Sequence, residues 1–96
     1  MTVRPVKSTK GKRAQAAVRL AAVFHPLWSS ADDHLLLQAR ARGDSFTDIA
    51  ARLGRARVAV EQRYHRLRVI RDALILLESY GLSSERYPCD GGRRHG

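Results

Sequence analysis

Thiols are nearly missing from this 96-residue chain, and their absence narrows its chemistry. Cys89 is the single cysteine, so no internal disulfide framework can form. A zinc site built on several thiolates is excluded with it. The four histidines, His25, His34, His65 and His95, are scattered without the spacing of a ligand pair. No metal and no cofactor is therefore predicted. Long apolar runs are absent too. The best of them, Ala14 to Phe24, is broken by Arg19 and stops at His25-Pro26. It is too short for a membrane span and lacks the form of a secretory leader. The expectation is a soluble cytoplasmic protein with no membrane partner, nucleoid-associated in a bacterium or phage and nuclear in a eukaryote. Catalytic constellations are missing as well. No nucleophile, base and orienting group stand together at a spacing that reads as a reaction centre, so no enzyme is predicted. The acid pair Asp32-Asp33 reads as helix capping.

Carboxylates are also few, 9 against 18 Lys and Arg, which gives a formal net charge of +9 and a pI near 11.0. Such a field favours association with a polyanion and says nothing about fold. Nucleic acid leads, with an anionic membrane surface second. Arg far outnumbers Lys, which suits phosphate and guanine contacts because the guanidinium fork meets two acceptors at once.

Local chemistry divides the chain. Residues 1–13 carry Arg4, Lys7, Lys10, Lys12 and Arg13 with no acid and no apolar period, which predicts a disordered basic arm. Residues 14–26 predict a short alanine-rich helix and a linker, closed by Pro26. Ser29 followed by Asp32 reads as a capped helix start, and Gly43 as its end. Leu35, Leu36 and Ala39 give that helix a buried stripe. Ser45 followed by Asp48 repeats the start signal for a helix of about two turns that ends at Gly54.

The stretch from Arg55 to Arg68 predicts a third helix with two jobs. Val60, Tyr64 and Leu67 recur at helical spacing and should face a core. At roughly 100° per residue, Val58, Gln62, His65 and Val69 fall on the opposite side. Three helices with a tight glycine-containing turn between the last two make a helix-turn-helix unit over residues 27–69. The polar face of its third helix suits a DNA groove. Gln62 is the first candidate for reading a base, followed by His65 and Arg57. Val58 is placed to touch a thymine methyl, and Glu61 to accept from cytosine or to orient an arginine. Arg55, Arg63, Arg66 and Arg68 are the candidates for phosphate.

Trp28, Phe46 and Tyr64 recur every 18 residues, and they should meet in one core. They resemble the three spaced aromatics of Myb/SANT-type repeats. Around them stand Trp28-Ser29 with Asp32-Asp33, Leu35-Leu36, Ile49-Ala50, Leu53-Gly54-Arg55 and Arg63-Tyr64 with Leu67. The run from Ile49 to Leu67 is also similar to the N-terminal domain of the GcrA family of cell-cycle regulators. The resemblance implies an all-α, three-helix Myb/SANT-like domain that binds double-stranded DNA, as a small transcriptional regulator does. It implies two alternatives: a SANT-type protein-interaction module, or a GcrA-like factor joining DNA to a sigma factor, a transcription-machinery partner. Two positions depart from the pattern. Ala56 stands where a Thr or Ser cap is usual, and Val58 where Asn is frequent.

Beyond Leu67, residues 70–80 contain no Gly or Pro. They predict a helical extension, either as a continuation of the third helix or as a fourth helix after a bend near Val69 to Asp72. Ile70, Leu74 and Leu77 continue the apolar stripe and form a candidate homodimer face. Residues 81–96, with Pro88, Gly91-Gly92 and Arg93-Arg94, predict a flexible tail.

Overall fold

The computed structural model describes residues 5–88, with side chains from Gly11 onward. The fold is all-α. Its helices are α1 (Pro5–Leu20), α2 (Ser30–Arg42), α3 (Phe46–Leu53), α4 (Arg57–Leu67) and α5 (Ala73–Tyr80), with one 3-10 turn, Ala21–Val23, after α1. No strand forms among the described residues, and one isolated bridge joins Ser29 to Arg86.

The middle helices start and stop where their local chemistry directs. The Ser29 hydroxyl accepts from the Asp32 N–H at 3.1 Å, and the Ser45 hydroxyl from the Asp48 N–H at 3.0 Å. Each bond satisfies one of the free amides of a helix N-terminus. Gly43 (φ 99°) and Gly54 (φ 67°) close α2 and α3 in the left-handed conformation that glycine adopts without strain. Ala56 gives α4 no side-chain cap bond. Leu36 and Ala39 from α2, Ile49 and Ala50 from α3, and Val60 and Leu67 from α4 are buried together. Only three residues separate α3 from α4, so the two pack closely.

Three expectations are corrected. The first is the basic arm. From Pro5 it is helical and forms the first half of α1. Proline suits the first helical position, where its missing N–H has no partner to lose. Ala16, Leu20 and Val23 are fully buried, and α1 lies along α5. Once that face is packed, extending the helix upstream adds one hydrogen bond per residue without a new nucleus. Residues 1–4 lie outside the described residues.

The second correction is the tail. Residues 82–88 run back over the N-terminus of α2. The Tyr87 N–H donates to the Trp28 carbonyl at 3.1 Å, and the Ala31 N–H to the Ser83 carbonyl at 3.1 Å. Tyr87 is buried and stacks on Phe24 with ring centroids 4.7 Å apart. A composition rich in small and polar residues hid one aromatic anchor. Residues 89–96, Cys89 among them, lie outside the described residues.

The three spaced aromatics belong to one core, as expected. Trp28 is buried in it, with the guanidinium of Arg55 4.0 Å and that of Arg63 5.6 Å from its ring centroid. Phe46 and Tyr64 meet edge-on at 5.5 Å and pack against the same core half-buried.

The third concerns the expected dimer face. The chain bends after Leu67 and restarts at Asp72, whose φ of 58° breaks the helix, so α5 is a separate element, the second of the two expected forms. The bend turns Leu77 inward, where it is fully buried against α1 and α2. Leu77 is thereby removed from the expected dimer face. Ile70 and Leu74 are half-buried, while Val69 and Ile75 are exposed.

Candidate nucleic-acid interface

Helix α4 turns two unlike faces to its surroundings. Inward, Val60 and Leu67 reach the core together with Arg63, which is 4% exposed. Arg63 Nε and Nη2 donate to the two carboxylate oxygens of Asp33 at 2.9 and 2.7 Å. The Tyr87 hydroxyl donates to the same carboxylate at 2.5 Å. A fully buried aspartate is tolerable only when its lone pairs are met this way, by a bidentate guanidinium and a further donor. Burial, followed by the Asp33 charge and the hydrogen bond to it, pushes the Tyr87 phenol far above its ordinary range. Arg63, expected at phosphate, is therefore a core residue. Asp33, read as a cap, is its partner.

Arg55 is corrected in the same way. Its Nη2 donates to the Leu27 carbonyl at 2.6 Å and to Asp32 at 3.1 Å while the guanidinium lies over Trp28. Its charge is matched by Asp32 and one face of its plane is covered by Trp28, which commits it to the fold.

Outward, the helical spacing holds. Val58 (54% exposed), Gln62 and His65 stand in one exposed strip along α4. Arg57 and Glu61, one turn apart, form an ion pair beside it, with Arg57 still half exposed. Arg66 is exposed on one flank, donating to the Ala22 carbonyl at 3.1 Å, a neutral partner that leaves its charge unmatched. Arg68 is exposed at the helix end and makes no ion pair among the described residues. Three of the five arginines between 55 and 68 therefore remain on the surface of α4: Arg57, Arg66 and Arg68.

No family model matches the chain, and neither does any curated protein or solved structure.

The exposed strip borders a groove of about 470 Å³ between α4 and the segment that precedes α2. Its lining includes His25, Leu27, Ala59, Gln62 and Arg66. Sequence reading took His25-Pro26 only as a helix stop and so missed His25 as a wall of this groove. The Leu27 N–H donates to His25 Nδ1 at 3.0 Å, which leaves Nε2 to carry the proton of the neutral ring. Partial burial, and then the nearby Arg63, lower the His25 pKa below its ordinary value. The one usable sequence signal was position: a histidine three residues before the tryptophan that anchors the domain.

Two further charged groups have structural explanations. Asp44 sits between the exposed arginines Arg42 (2.7 Å) and Arg52 (3.2 Å), and the hydrogen bond from Arg42 holds its carboxyl below the usual range. His34 meets Glu78 at 2.8 Å and ties α2 to α5. No cluster of three metal-ligating side chains occurs among the described residues. No helix among them is long and apolar enough to cross a membrane.

Proposed function

We propose that this chain is a sequence-specific double-stranded DNA-binding protein, a small transcriptional regulator. Its α2–α4 unit acts as a Myb/SANT-like helix-turn-helix with α4 as the reading helix. One observation carries the proposal: Val58, Gln62 and His65 form an exposed strip on α4, flanked by arginines that no carboxylate fully neutralises. An α-helix with its side chains is about 10–12 Å across, and the major groove is about 12 Å wide. Gln62 offers the amide that pairs with adenine N6 and N7, and Val58 offers a methyl surface for thymine. His65 offers a ring nitrogen to a base edge. Glu61 holds Arg57 in place for guanine or phosphate. Arg66 and Arg68 meet backbone phosphates on either side of the strip, where they set register without reading sequence. The charge of +9 adds an attraction that is independent of sequence.

Selection of bound duplexes from a random pool tests the proposal. A shared motif of a few base pairs is expected, bound at least tenfold more tightly than scrambled duplex. Affinity for both should fall steeply with salt. If the pool yields no motif and binding matches that of a generic polycation, the protein is not a sequence reader.

A further inference from the structure

A second concave surface lies beside α4, on the flank away from the His25 groove. It is an open hollow of about 480 Å³ between the C-terminal half of α2, the end of α4 and the start of α5. Leu37, Tyr64, Ile70, Leu74 and Ile75 supply its apolar lining. Ile75 is 61% exposed, and the neighbouring Val69 is 75% exposed. Apolar side chains gathered in a hollow mark an interaction site more strongly than the same residues scattered singly. Asp72, on the same wall, is the one described residue other than glycine with positive φ.

The charges around the hollow decide what fits it. Arg40 and Arg68 stand at its edge against the single carboxylate of Asp72. Neither arginine makes an ion pair among the described residues: Arg40 donates to the Asp44 carbonyl, a neutral acceptor. A second copy of this chain fits poorly. A two-fold interface sets the same patch against itself and would bring arginines to arginines.

We propose that this hollow is the docking site for an amphipathic helix of another protein, with its apolar stripe on Leu74 and Ile75 and acidic residues flanking that stripe. Helix-in-groove recognition uses apolar anchors at i, i+3, i+4 and i+7, and flanking carboxylates would meet Arg40 and Arg68. The hollow and the strip of Val58, Gln62 and His65 lie on different sides of α4, with Arg68 bordering both. The inference does not depend on the DNA reading, because the hollow is defined without it.

The test is a displayed library of helical peptides with a fixed leucine stripe and randomised flanking positions, selected on the full chain without DNA. Enrichment of Asp and Glu at the flanks is expected. A selected peptide should bind at least tenfold more weakly to both Ile75→Glu and Arg68→Glu, with the melting temperature of each variant unchanged. Ile75→Glu should also leave duplex binding as it was, which separates this inference from the fate of the DNA proposal. Failure to enrich, or enrichment of basic or neutral flanks, would overturn it. So would a dimer in sedimentation that Ile75→Glu dissolves, since the occupant would then be a second copy.

Discussion

The two sides of α4 use the same residue type for opposite ends. Arg63 and Arg66 are three positions apart on one helix. Arg63 is sealed in the core, its fork closed on Asp33, with Tyr87 completing the carboxylate's partners. Arg66 is exposed and donates to a backbone carbonyl, that of Ala22. The inner arginine is an obligation of the fold, because removing either partner strands a charge away from water. The outer one is available. Basicity alone does not identify a nucleic-acid face; what identifies it is the subset of basic side chains left over after the fold has used its share.

The largest expected effect breaks the inner side. Arg63→Ala leaves Asp33 buried without its counter-ion and should cost about 3–5 kcal/mol, enough to unfold most of a domain of this size. Denaturant melts followed by circular dichroism measure it. Arg66→Ala should melt as the parent does. An unchanged melt for Arg63→Ala would mean that the core does not need the pair.

Tyr87→Phe comes next. It removes one hydrogen bond to a buried carboxylate, worth about 1.5–3 kcal/mol. It also has a pH signature. The native phenol is held protonated above its ordinary pKa of 10.0, so the folded state binds the proton more tightly than the unfolded chain does. The stability it contributes is intact below pH 10.0 and is lost as pH rises above that value. The phenylalanine variant should lack this alkaline limb, as thermal melts between neutral and alkaline pH would reveal.

The outer side gives smaller but more specific effects. Gln62→Ala should cost about 1–3 kcal/mol on the selected duplex and almost nothing on random duplex. Arg66→Ala should weaken both alike and lower the salt slope by about one. Equal losses on both duplexes for Gln62→Ala would remove it from the reading face. The smallest effect is an acid limb. The unfolded chain protonates His25 near 6.5 while the native ring resists, so stability declines as pH falls below that value. Asp44 adds a loss deeper in acid, as pH drops below 3.8 through its lowered native pKa. His25→Gln should remove the first of these steps and leave the second.

The parts that were legible from sequence are those whose causes lie a few residues apart. Ser29 with Asp32, Ser45 with Asp48, Gly43 and Gly54 are local chemistry, and the central helices begin and end accordingly. The outward strip of Val58, Gln62 and His65 followed from helical period alone. Arg63 was not legible, because its fate depends on an aspartate 30 positions earlier. Tyr87 was hidden for the same reason, 54 positions from the carboxylate it serves. Arg55 was misread because a guanidinium beside a tryptophan and a carboxylate looks in sequence like one awaiting phosphate. Low helix propensity around Gly11 concealed the first half of α1, while the alanine-rich stretch from Ala14 had announced the second.

That first helix has a kinetic consequence. The Arg13 guanidinium donates to the carbonyl of Tyr80, 67 positions along the chain, and Arg19 reaches the carbonyl of Arg71. The two outermost helices thus fasten the chain into a closed loop, whereas α3 packs on α2 and α4, its neighbours in sequence. Short-range contacts form early and long loops close late, because chain entropy must be lost before a distant contact returns anything. The central helices should assemble first, with the α1–α5 clasp forming after the rate-limiting barrier. Leu20→Ala should then speed unfolding with little change in the folding rate, and Ile49→Val should slow folding. In stopped-flow chevrons the first would steepen the fall from the native state and the second would lower the climb towards it.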